Sequence, residues 1–327
     1  MNQDLKANEC IVLQQDPDAI IPDGYENIVN VSQLQQVKAA AKDYGQIIRD
    51  RLRSKTGLTA YLGRAGIEMT FSNKVPDLFD KLIKQIGNPY WLIRQKAPQI
   101  MDAHRTATLL EEFLFDAFPQ VGEHFGLDQS HKTTINAYRR LMSKLSEEIG
   151  KIRIKEQMQQ INEDIFGAYF PGEQKIEIYW IAIALFSESI DVPIEEFTKV
   201  VLTHEFAHGF THVGSDLGHN RWDTVKFCKA EEALKEGLAQ YYTATITKEM
   251  RDRANYSSDK IDAYSAYERL LDYQPAIYHT HKAWLEHDEK LICEAIRFAI
   301  LEARKLDQKC THEIFSEMVV NNLQRLS

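Results

Sequence analysis

Phe197-Thr198-Lys199-Val200-Val201-Leu202-Thr203-His204-Glu205-Phe206-Ala207-His208 is the stretch on which the reading of this chain turns. Pro193 stands just ahead, where its fixed φ suits a first helical turn. Glu195 and Glu196 fall in that turn, where the helix dipole favours negative charge. Phe197, Val200 and Val201 set an apolar stripe that leads onto the face of His204 and His208, so the spacing predicts a helix with its histidines held inward. Residues four apart on a helix point the same way. Two neutral imidazoles held like this converge on one metal ion, and zinc suits them best. Glu205 lies one step round, in reach of a metal-bound water whose proton it would accept as general base. The bland reading is a chance match among eleven histidines, or core histidines bonded to backbone carbonyls. The apolar stripe and a second acidic helix downstream weigh against it.

That second segment reads Ala230-Glu231-Glu232-Ala233-Leu234-Lys235-Glu236-Gly237-Leu238-Ala239-Gln240-Tyr241-Tyr242. Together the two stretches resemble the gluzincins, His-Glu-x-x-His metallopeptidases whose third zinc ligand is a glutamate on a following helix. Glu236-Gly237-Leu238-Ala239-Gln240-Tyr241 is similar to the Glu-Gly-Phe-Ala-x-Tyr segment of their alanyl-aminopeptidase branch. The resemblance covers Phe197 to Tyr242. It implies a zincin-like domain holding one zinc ion per chain through His204, His208 and Glu236, and hydrolysis of a peptide or protein substrate. Glu232, four residues earlier on the same face, is the competing third ligand, with Glu236 then orienting a histidine. A solvated acidic helix face is the plain alternative for both.

Two departures limit what carries over. The gap from His208 to Glu236 is longer than in that branch, with the extra length in the loop-like Gly214 to Asn220, and the branch's Gly-x-Met-Glu-Asn exopeptidase segment is missing upstream. Only the metal chemistry carries over, not aminopeptidase specificity. His212 continues the ladder of histidines, but Gly209 is expected to end the helix before it, so His212 reads as lying beside the site or at the surface. A metzincin-type third histidine would fall on Gly214.

Gluzincins stabilise the carbonyl oxygen of the substrate with a Tyr or His from a later segment. Gln274-Pro275-Ala276-Ile277-Tyr278-His279-Thr280-His281 holds the candidates, in the order Tyr278, His281, His279. Tyr278 and His281 share a face if the segment is helical; an ordinary polar surface is the alternative. Upstream, Gly167 to Gly172 is turn-prone, and Lys175 to Trp180 reads as a strand from its partial alternation and β-favouring residues. In zincins the strand before the active-site helix presents an edge to an extended peptide; an interior strand is the equal alternative here.

Further out, residues 1–30 are rich in turn formers and form a lead-in. From Val31 to about Gln160 the pattern is mostly helical, with Ser32-Gln33-Leu34-Gln35 opening a helix and Leu109, Leu110, Phe113, Leu114 and Phe118 at helical spacing. Asn88-Pro89 and Phe118-Pro119 mark helix ends, and the charged run from Arg49 to Lys55 reads as a solvated helix face. The expected fold is α+β and predominantly helical. Residues 1–160 form a helical N-terminal region without a readable role, and residues 161–327 a zincin-like metallopeptidase domain with a small sheet.

The bulk properties set outer limits. A net charge of −9 argues against general affinity for nucleic acid. The four cysteines are scattered, with no Cys-x-x-Cys pair, so no thiolate metal site is suggested. The longest apolar run, Ile181 to Phe186, is far too short to span a bilayer. The first residues lack a secretory pattern, which leaves the cytoplasm as the expected compartment. Two other functions stay open: a non-catalytic interaction protein that keeps the fold, and a zinc hydrolase acting on a non-peptide substrate.

Overall fold

The computed structural model describes residues 20–60, 66–81, 83–84, 97–151, 154–160, 165–254 and 261–327. The expectations for residues 1–19 and for Asn88-Pro89 lie outside them. In chain order the elements are α1 (Val31–Thr56), β1 (Glu68–Ser72), α2 (Ala97–Glu111), α3 (Pro119–His124), α4 (Gln129–Lys151), α5 (Ile154–Met158), β2 (Gly167–Phe170) and β3 (Lys175–Tyr179). Then follow α6 (Trp180–Ser189), α7 (Ile194–Val213), α8 (Thr224–Lys229), α9 (Glu232–Ala254) and α10 (Ala263–Leu271). A 3₁₀ segment (Ala276–Glu286), α11 (Glu289–Ala303) and α12 (His312–Leu326) complete the described chain. The protein is thus mostly helical with one small sheet, and none of its described helices is long and apolar enough to cross a membrane.

Helix α7 carries the decisive motif and lies at the centre. Every residue from Glu196 to Val213 is buried, because α1, α9, α10, α6 and the sheet pack around it. That enclosure buries the helix all round rather than along one stripe, its polar side chains included. Lys199 is buried with it and compensated in place: its Nζ lies 2.8 Å from Glu196, 3.0 Å from Glu195 and 3.8 Å from the centre of the Tyr44 ring.

Helix α7 starts after Pro193 as expected, but it does not stop at Gly209. The glycine there serves close packing: a Cβ on it would sit 2.5 Å from Ile67 Cδ1. The helix therefore runs on through His212 to Val213. Its C-terminal carbonyls are satisfied from outside. Arg304, just past α11, donates from Nη2 to Thr211 O and Gly214 O, both at 2.9 Å, and from Nη1 to Asn220 O at 3.1 Å. A buried guanidinium at a helix C-terminus also complements the dipole.

The sheet order is β1-β3-β2, with β1 parallel and β2 antiparallel to the central β3. Lys175–Tyr179 is thus the interior strand, paired on both sides, and Trp180 already belongs to α6. The turn-prone reading of Gly167 to Gly172 is corrected here. Gly167–Phe170 pairs with Lys175–Ile178, and only Pro171-Gly172-Glu173-Gln174 turns. Four residues ended by Pro-Gly are too short to show a period of two.

Helix α1 opens two residues earlier than expected, because Asn30 is the N-cap and Gln33 its reciprocal partner. Gln33 N donates to Asn30 Oδ1 at 3.3 Å and Asn30 N to Gln33 Oε1 at 2.8 Å. The Arg49 to Lys55 run is only partly a solvated face. Arg53 and Ser54 point outward, whereas Arg51 and Lys55 reach Glu249 of α9 at 2.6 and 3.5 Å. Leu109, Leu110, Phe113 and Phe118 keep the expected spacing but are exposed, and the helix changes to a π turn over Glu112–Ala117.

Candidate metal centre

His204 and His208 rise from the middle of α7 and Glu236 from the first turns of α9, the helix packed across it. The two Nε2 atoms lie 3.1 Å apart. Glu236 Oε2 is 3.1 Å from His204 Nε2, and its Oε1 is 3.4 Å from His208 Nε2. All three residues are buried, and they form a group able to hold a metal ion. The donor spacings suit a tetrahedral ion: zinc bonds of about 2.0–2.1 Å place neighbouring donors about 3.3 Å apart.

The protonation state fits as well. Burial moves His204 below its ordinary value, with the Glu236 contact opposing, so the imidazole is neutral and its lone pair available. Burial alone would push the Glu236 carboxyl up, but the imidazoles of His208 and His204 outweigh it and hold the group well below the usual carboxylate range. A neutral His204 imidazole and an ionised Glu236 carboxylate are the forms that ligate.

Between Glu236 and Glu232 the geometry is decisive. Glu232 is exposed at the start of α9, with one oxygen 2.6 Å from Lys235 Nζ. The 28-residue step from His208 to Glu236 is taken up by the loop before α8 and by α8 itself. In that loop Asn220 N donates to Asp216 Oδ1 at 2.8 Å and Trp222 N to His212 O at 3.1 Å.

His212 stands outside the cluster. Its Nδ1 is 2.8 Å from the Tyr169 hydroxyl and its Nε2 3.0 Å from Thr224 Oγ1, and its ring stacks on Phe227. Burial and the nearby Arg304 lower its pKa to about 4. It fastens α7 to β2 and α8.

Glu205 is buried and lines a cleft together with His204, Gly167, Gln240 and Tyr278. The ring of Tyr278 lies 6.0 Å from that of His204, centre to centre. His281 is on the same 3₁₀ segment but engaged on both nitrogens, with Nε2 2.7 Å from the Tyr267 hydroxyl and Nδ1 3.0 Å from Tyr278 O. His279 is half-buried, its Nε2 3.3 Å from Gln274 O. The structure therefore brings Tyr278 to the cleft, while His281 braces the backbone that presents it.

Two residues at the cleft carried no signal in the sequence reading. Gly167, on the edge strand, stands against Glu205, and Gln240, one turn beyond Glu236, lines the cleft on α9. The position of Gln240 on the face of α9 that carries Glu236 was the one available cue.

Compared with known proteins, the chain matches no family model, no curated protein and no solved structure. The protein is, on its fold and site, a mostly helical chain with a buried His-His-Glu group fit for a metal ion.

Proposed function

We propose that this chain is a zinc-dependent metallopeptidase of the gluzincin type, with His204, His208 and Glu236 as ligands. The observation that carries the reading is the position of Glu205. It lines one cleft with His204 of the buried three-donor group and with Gly167 of an edge strand. A purely structural metal site has no need of a carboxylate there. Zinc held by the three donors supplies Lewis-acid activation of water and of a substrate carbonyl.

The chain's own groups take the remaining roles. Glu205 accepts the proton of the attacking water and returns it to the leaving amine. Tyr278, through its hydroxyl, stabilises charge that develops on the carbonyl oxygen. The edge strand β2 offers backbone groups to which an extended peptide can add, a role the interior strand β3 cannot take. The closed, apolar surroundings of α7 strengthen these electrostatic effects.

The test joins metal content with turnover. The purified protein, expressed without a metal-affinity tag, should hold about one zinc per chain. Glu205→Gln should keep the metal and lose hydrolysis of a peptide mixture. A protein that retains no zinc after loading, or a Glu205→Gln variant with undiminished hydrolysis, would end the proposal.

A further inference from the structure

The cleft beside Glu205 has walls that differ from its floor. Phe166, Val200, Val201 and Leu270 give apolar sides, and among the described residues no ionisable group lines it apart from Glu205, His204 and the Tyr278 phenol. Deeper in, Gln240 is 2 % exposed and donates from Nε2 to Gln274 Oε1 at 3.1 Å. Its own Oε1 is buried and has no hydrogen-bond partner among the described residues. A buried acceptor left unmade costs free energy, so such a group in a cleft points to a ligand that completes it. Gln274 lines the same cleft and brings an amide NH₂ of its own.

With Gln240 Nε2 bonded to Gln274 Oε1, the pair keeps the Gln240 oxygen as an acceptor and the Gln274 NH₂ as a donor. Exchanging oxygen and nitrogen in both leaves that complement unchanged, since an amide pair joined by one hydrogen bond always keeps one of each. The group that answers it is another primary carboxamide. A carboxylate would set lone pairs against Gln240 Oε1 and bring a charge between apolar walls and next to Glu205. An aliphatic side chain would suit the walls but leave the buried acceptor bare.

We propose that this cleft selects a substrate residue with a neutral carboxamide side chain, glutamine or asparagine, beside the bond to be cut. The inference takes its setting from the metallopeptidase reading, but the recognition itself lies in Gln240 and Gln274 and needs no turnover to observe.

Binding is measured by ligand-observed NMR with three probes: N-acetylglutamine N-methylamide and its glutamate and norleucine counterparts. Wild type should bind the glutamine probe about tenfold more tightly than either of the others, a difference of about 1.4 kcal/mol. Gln240→Leu should reverse the order between glutamine and norleucine. Gln274→Leu, at the cleft rim, should weaken the glutamine probe while leaving the protein's melting temperature near that of wild type, so a failure of Gln240→Leu to fold does not block the test. Equal binding of all three probes, or no binding of any, overturns the proposal. In parallel, a peptide mixture is digested and the cut sites are read by mass spectrometry. Cuts next to glutamine or asparagine support both readings. Glutamine-selective binding without any cleavage supports the cleft assignment and removes the peptidase. Cleavage without regard to carboxamides keeps the peptidase and removes the assignment.

Discussion

Gly167 of the edge strand lies directly against Glu205 of the central helix: a Cβ on Gly167 would stand 3.0 Å from Glu205 Cγ and 3.2 Å from its Oε1. The same Cβ would be 3.2 Å from the carbonyl oxygen of Glu177 on the neighbouring strand, so it has no easy direction of retreat. The absence of a side chain at this one position sets how closely the strand approaches the carboxylate.

Gly167→Ala should therefore displace Glu205 and lower kcat by about tenfold to a hundredfold, since shifts of about 1 Å in a reacting group have effects of that size. Zinc content should stay at the wild-type value, because the ligands come from other positions. Unaltered turnover in a folded variant would show that Glu205 is not held by this contact.

Glu236→Ala should abolish metal retention, whereas Glu232→Ala should leave it intact, because only Glu236 faces the two imidazoles. Elemental analysis after dialysis distinguishes the two. Retention by Glu236→Ala with loss by Glu232→Ala would reverse the ligand assignment.

Tyr278→Phe removes a hydroxyl from the cleft and keeps the ring beside His204. Removing one such donor should reduce kcat by about a hundredfold with KM little changed. An equal kcat would leave Tyr278 with a packing role only.

The buried histidines make stability depend on pH. Burial lowers His281 to about 4, and His212 likewise to about 4. The unfolded chain takes up these protons near pH 6.5, before the folded one does, so stability is complete above that pH and falls as the pH drops toward 4. Each group contributes on the order of 3 kcal/mol over that window. Urea denaturation of the metal-free protein at pH 7.5, 5.5 and 4.5 should show the decline. His281→Gln should start lower and decline less steeply; parallel slopes would exclude His281 as a source.

Arg304→Leu should destabilise the fold by about 3 kcal/mol, because the carbonyls of Thr211, Gly214 and Asn220 lose a charged donor in a buried setting. Chemical denaturation at neutral pH gives the value. A change below about 0.5 kcal/mol, the size typical of a surface substitution, would mean that these carbonyls find other partners.

The centre of the site was legible in the sequence because its geometry is local. His204 and His208 are one helical turn apart, and Glu205 sits between them, so the helix alone sets their relation. Glu236 became legible only through a resemblance, since nothing in spacing brings together residues 28 apart in the chain. What stayed hidden depends on contacts across the fold. Strand β2 is too short to show alternation and ends in Pro171-Gly172, which dominates its local pattern. Gly209 looked like a stop signal because glycine so often ends helices, whereas here Ile67 needs the room. His281 and Tyr278 looked alike as candidates, and only the partners of His281, Tyr267 and a backbone carbonyl, separate them.

The parallel pairing of Glu68–Ser72 with Lys175–Tyr179 has a consequence for the birth of the molecule. Once made, β1 has no native partner until roughly a hundred further residues have left the ribosome, which at about 5–20 residues per second is roughly 5–20 seconds. For that interval β1 stays unpaired, and α1 waits still longer for the buried helix it packs against. The nascent chain thus carries adhesive segments until β3 and α7 have been made, and this is the stage at which a chaperone that holds extended polypeptide has most to protect.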